Sequence, residues 1–292
     1  MSPKRNFGAE RRKRSPAALF ASVVTPPNAA RRAPAYWLFT LSLIAMMTSA
    51  ILLLSECGER AATTLYWRGV AARRARTEDQ NWTQQDMAPR FQSLYAQNSD
   101  IVGWLSAPDV GVNYPVMQTP DAPEYYLDRD FDRQKTKTGA PFADYRCQVT
   151  PDQGFNTVIY AHDTMLFQLN QYTYLKNYYA QHPYLRFDTL TETGYYEVAA
   201  AFYADATGAR LLDPWDPDDP QAYEPYNYLE VDSLQGFQKF CDAIRQRQLF
   251  PTDVSISPRS RILTLLCCAT EPFSGIPDNN GRLVVIAVRT GP

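Results

Sequence analysis

The residues best suited to attack a carbonyl lie near the C-terminus: Cys267 and Cys268, side by side at the end of RILTLLCC (261–268). A cysteine nucleophile needs a base or an ion-pair partner, and the chain offers two histidines, His162 and His182. His162 closes the apolar run NTVIYAH (156–162), and the end of a strand is a rigid place from which to present a side chain. His182, in YAQHPYLRF, precedes a proline between aromatic residues and reads as a packing or turn position. Arg282 opens RLVVIAVR fourteen residues after Cys268. Its guanidinium stays charged and offers five donors to a peptide carbonyl or a developing oxyanion. Each group also has a plainer reading. Free cysteines are usually small buried hydrophobes, a strand-end histidine can simply bond to backbone, and a strand-end arginine can be solvated.

These groups depend on the strands that carry them. Side chains alternate faces along a strand, so Cys267 and Cys268 must point opposite ways if the strand reaches that far. If the strands 261–268 and 282–289 are neighbours, Arg282 at the start of one lies beside Cys268 at the end of the other. Further strands are expected in IVGWLSAPDVGVNYPVMQ, GAPFADYR (139–146) and YYEVAAAFYA (195–204), broken by proline and glycine. Helical spacing shows in MAPRFQSLYAQ, where Phe91, Leu94 and Tyr95 share a face that stops near Asn98. It shows again in residues 231–248, where Leu234, Phe237, Cys241 and Ile244 form a stripe after an N-cap at Asp232 or Ser233. Seven or more short strands with one long helical insertion argue for an all-β barrel or sandwich with peripheral helices.

The net charge of −2 hides an asymmetry. Residues 1–34 carry eight basic side chains and one acid, Glu10, leaving 21 basic and 30 acidic residues for the rest. Between the two regimes AYWLFTLSLIAMMTSAILLL (35–54) has no charge. At ~1.5 Å rise per residue it spans the ~30 Å of a bilayer core, and it is too long and too far from the N-terminus for a signal-peptide core. The expected organisation is a basic disordered cytoplasmic tail (1–34), a transmembrane anchor (35–55), a helical juxtamembrane segment (56–98) and an extracytoplasmic domain (99–292), oriented by the positive-inside rule. Residues 213–228 read as an acidic, proline-rich loop. Cys57 follows Glu56, which is not the small residue a lipid-attachment site wants. The five cysteines show no disulfide-framework or zinc spacing, so no metal and no cofactor is expected. The acidic exterior excludes a nucleic-acid footprint.

The ordered set NSDIVGWL, VNYPVMQ, YYLDRDF, GAPFADYR, NTVIYAHD, ILTLLCC and RLVV, following a basic tail and one anchor, resembles the class B sortases of Gram-positive bacteria. The resemblance covers about residues 90–289. It implies an eight-stranded sortase β-barrel with N-terminal helices and one long helix inserted before the cysteine strand, here 231–248. The family's T-L-x-T-C motif falls on Thr264 to Cys268, which implies Cys268 as nucleophile, with His162 and Arg282 completing the catalytic set. Leu266 and Cys267 stand where the motif commonly has small hydroxyl residues, and become candidate substrate contacts. Ala161 replaces the usual glycine before the histidine. The implied activity is a membrane-anchored cysteine transpeptidase that cleaves a C-terminal sorting signal through a thioacyl-enzyme and transfers it to a peptidoglycan amine or a pilin lysine. The alternatives are a non-catalytic binding domain on a degenerate barrel and a hydrolytic cysteine protease.

Overall fold

In a computed structural model the described residues are 29–74, 83, 86–150, 154–205, 228–277 and 280–290. The basic tail as far as residue 28, and the acidic loop as far as residue 227, lie outside them. The chain divides after Thr64 into two compact units.

The first unit holds most of helix α1 (Ala29–Arg74). From Trp37 to Leu54 its large apolar side chains are exposed, and the helix is long and apolar enough to cross a membrane. The helix does not pause at the end of the apolar stretch, because Glu59 to Arg74 is rich in good helix formers.

In the second unit the last turns of α1 are amphipathic: Trp67 and Val70 are buried, and Trp67 packs edge-on against Tyr114. Helix α2 (Pro89–Gln97) starts on a proline, which costs nothing at a position whose N–H has no helical partner. It buries Phe91 and Leu94 as the spacing predicts, leaves Tyr95 exposed, and stops at Asn98.

Eight strands close a barrel: β1 (Ile101–Ala107), β2 (Val112–Met117), β3 (Phe142–Ala143), β4 (Asn156–Ala161), β5 (Tyr184–Thr189), β6 (Tyr195–Asp205), β7 (Ile262–Cys268) and β8 (Gly281–Thr290). Their order around the barrel is β1-β2-β3-β4-β7-β8-β6-β5. The sheet is mixed, since β2 pairs parallel to β3 and β4 parallel to β7.

Two details differ from the sequence reading. GAPFADYR contributes only Phe142 and Ala143, because Asp144 turns its carboxylate back to the Arg146 backbone and guanidinium instead of extending the strand. Strand β5 was not expected; its YLRFDT alternation follows Pro183 directly and is short.

Period-two alternation sorts the core. Leu263, Leu265 and Cys267 of β7 join Leu283, Val285 and Ala287 of β8 in one cluster. Ile262 of β7 joins Val284, Ile286 and Val288 of β8 in a second, beneath helix α3 (Leu234–Arg247). The Ser233 hydroxyl caps α3 by accepting from Gly236 N at 3.0 Å. The buried stripe on α3 is Phe240 and Ile244, flanked by half-buried Phe237 and Cys241. Leu234, expected on that stripe, is 79% exposed in the first turn. Burying the Phe240 side chain contributes ~1.5–3 kcal/mol.

Candidate active site

The alternation expected of the cysteine pair is what the barrel shows. Cys267 is 2% exposed and sits with the first core cluster, whereas Cys268 on the opposite face is exposed. Neither thiol is in a disulfide. Burial pushes the Cys267 thiol far up; neighbouring Cys268 and Asp163 push it further, and Arg282 pulls it back down. A thiol in that setting stays protonated and fills space.

Register brings the other groups to the same place. Cys268 is the direct cross-strand partner of Arg282 on antiparallel β8. On its other side β7 runs parallel to β4, with Cys267 opposite Ala161. One residue further along that register, His162 follows Ala161 beside Cys268. Adjacent strands lie ~4.8 Å apart, so His162, Cys268 and Arg282 come from three consecutive backbones and share one parity. Leu266 shares it too, between Tyr160 and Val284. Of the two candidate substrate contacts only Leu266 is therefore on the face that carries Cys268.

His162 is half-buried, and its Nε2 lies 3.1 Å from the backbone oxygen of Leu127. The plainer reading of this histidine, a ring bonded to backbone, thus describes half of its surroundings. Among the described residues no hydrogen bond joins the ring to the Cys268 thiol. The half-buried Arg282 donates from Nη1 to Gly281 O at 2.9 Å. His182 is elsewhere: it ends the short helix Tyr178–Gln181, its ring 4.5 Å from that of Tyr178, a packing position as expected.

The segments that follow each reactive group are fixed to one another. After His162 the chain enters a helical turn (Asp163–Leu166) whose Met165 and Leu166 are buried. After Cys268, Ala269 N donates to Gly281 O at 2.8 Å and closes the connection to β8. Gly281 has to be small there, because a Cβ would run into the Ser274 side chain and the Ala269 carbonyl. Phe167 and Phe273, one from each segment, meet edge to face at 5.4 Å. Leu127, Asp163 and this aromatic pair were not read from the sequence. A backbone acceptor leaves no side-chain signature, and Asp163 reads there as an ordinary helix-start acid.

A closed eight-stranded mixed barrel is the fold of the solved sortase B structures, and sortases are cysteine transpeptidases. No protein-family model matches the chain. Among curated proteins it is 28% identical to Sortase B of Staphylococcus aureus (strain NCTC 8325 / PS 47) over 207 residues, 70% of this chain and 76% of that protein. It is 27% identical to Sortase B of Listeria monocytogenes serovar 1/2a (strain ATCC BAA-679 / EGD-e) over 208 residues, 68% and 74% of the two chains. Among solved structures, sortase B from Bacillus anthracis in complex with AAEK1 superposes with a TM-score of 0.63 at 23% identity, covering 80% of this chain and 99% of that one. The S. aureus sortase B–substrate complex gives 0.60 at 23%, covering 81% and 98%. By sequence and by fold the chain is similar to the class B sortases.

Proposed function

We propose that this sortase is anchored in the cell membrane by α1, with its N-terminus cytoplasmic and its barrel outside, and that it joins sorting-signal-bearing surface proteins to an amine of peptidoglycan or of a pilin subunit. The observation that carries the reading is the shared parity of Cys268, His162 and Arg282 on three adjacent strands, with Cys267 turned inward. The Cys268 sulfur attacks the carbonyl of a threonine in the signal, forming a C–S bond as Arg282 steadies the oxyanion. The C–N bond then breaks, the leaving amine takes a proton from His162, and a thioester remains on Cys268. The acceptor amine attacks that thioester, gives its proton to His162 and releases the thiolate, so the enzyme returns to its starting state.

The exposed apolar side chains of α1 from Trp37 to Leu54, on a helix long enough to cross a membrane, support the anchored reading. The test is to incubate the full chain in detergent with a fluorogenic sorting-signal peptide, with and without an amine acceptor. Cleavage that yields amine-linked product supports transfer. Cleavage to free acid alone would make the enzyme a hydrolase, and no turnover with any signal peptide would make the barrel a binding domain.

A further inference from the structure

The partner of His162 determines which of its nitrogens handles the proton. A carbonyl oxygen can only accept, so Nε2 must carry hydrogen wherever it contacts Leu127 O at 3.1 Å. In the neutral ring that leaves the lone pair on Nδ1.

The carbonyl is itself held by a tightly packed loop. Leu127 ends the helical turn Tyr125–Leu127 between β2 and β3. Tyr126 is buried, and its hydroxyl accepts from Asn98 Nδ2 and donates to Asp100 Oδ2, both at 2.7 Å. Across from the turn lies Gly139, with φ of +57° and its N–H donating to Thr136 Oγ1 at 2.9 Å. The next residue, Ala140, donates from its N–H to Tyr126 O at 3.0 Å. A Cβ on residue 139 would occupy the space of the Tyr126 and Leu127 carbonyl oxygens. Glycine is thus required twice, for its left-handed backbone and for the space it leaves.

We propose that Gly139 is a positioning residue. By leaving room for the Leu127 carbonyl, it holds His162 with the proton on Nε2, so that Nδ1 gives and takes the proton at Cys268. This rests on the acid–base reading of His162 given above. In the first half-reaction the imidazolium loses its Nδ1 proton to the leaving amine. In the second, Nδ1 recovers one from the acceptor amine, and Nε2–H stays on Leu127 throughout.

The chain has two histidines, so a long-range proton–nitrogen spectrum of the histidine-labelled full chain in detergent shows two rings, and a His162→Ala spectrum assigns them. Neutral His162 should be in the Nε2–H form alone; an Nδ1–H form or an even mixture in the wild type overturns the proposal. Gly139→Ala should admit the other tautomer and lower kcat by about 10- to 100-fold with little change in KM, the scale of a small misplacement of a catalytic group. Gly139→Asn tolerates positive φ but adds a Cβ, and should behave like the alanine variant; if it restores the wild-type tautomer and rate, the contact with Leu127 is not the cause. Should both variants fail to fold, the wild-type tautomer decides. Because that tautomer is read without substrate, an Nε2–H ring in a chain that transfers nothing would sink the functional reading and leave the positioning intact.

Discussion

Beside the parallel backbone ladder of β4 and β7, one buried side-chain hydrogen bond joins the strands that lead to His162 and Cys268, and its removal has a calculable effect. Thr264 Oγ1 on β7 donates to Asn156 Oδ1 on β4 at 2.9 Å, and both residues are buried. Asn156 Nδ2 has no hydrogen-bond partner among the described residues. Thr264→Val keeps the branched shape but removes the hydroxyl, leaving a buried amide oxygen without the donor it had. The desolvation cost of such an orphaned group is about 1–3 kcal/mol, or roughly 5- to 150-fold in the folding equilibrium. Replacing both partners by apolar groups removes the orphan, so Asn156→Leu/Thr264→Val should lose less than the two single variants summed, by about 1 kcal/mol. Urea unfolding of the full chain in detergent, followed by tryptophan fluorescence, measures all three. A Thr264→Val variant as stable as wild type, or strictly additive single variants, would refute the argument.

Two further outcomes concern buried ionisable groups. Burial pushes the Cys147 thiol from its ordinary 9.0 up to about 12, and its sulfur accepts from Val158 N at 3.3 Å. A raised folded value means that the neutral thiol stabilises the fold fully below the unfolded value. That stability is lost as pH rises from ~9 toward 12, and Cys147→Val should flatten the alkaline limb of a stability–pH curve. Asp188 is fully buried in β5 among Arg74, Arg90 and Arg186, which come from the end of α1, from α2 and from β5. Asp188→Asn leaves three guanidinium groups around a neutral amide and should cost about 3–5 kcal/mol. Limited proteolysis should then cut near the end of α1 before the barrel is attacked; unchanged stability and an unchanged cleavage pattern would contradict the assignment.

What the sequence made legible follows from which forces act locally. The faces of Cys267 and Cys268 were readable because strand alternation needs no partner to be known. Helix α3 was readable from its stripe and its Ser233 cap, although Leu234 at its start is exposed. The neighbouring of β7 and β8, and hence the pairing of Arg282 with Cys268, was an inference that the register bears out. Long-range relations were not readable. Arg74, Arg90, Arg186 and Asp188 look like surface charges in sequence and become a buried cluster only when α1, α2 and β5 meet. The Leu127–His162 contact and the space that Gly139 leaves for it join the Leu127 carbonyl to groups 35 and 12 residues away, which no residue-type pattern encodes.

The proposed chemistry requires that the Cys268 sulfur carry the substrate. Intact-mass and peptide-mapping measurements on the full chain trapped with a sorting-signal peptide should place one thioacyl adduct on Cys268, abolished in Cys268→Ala and retained in Cys267→Ala. An adduct on Cys267, or one that persists in Cys268→Ala, would contradict it.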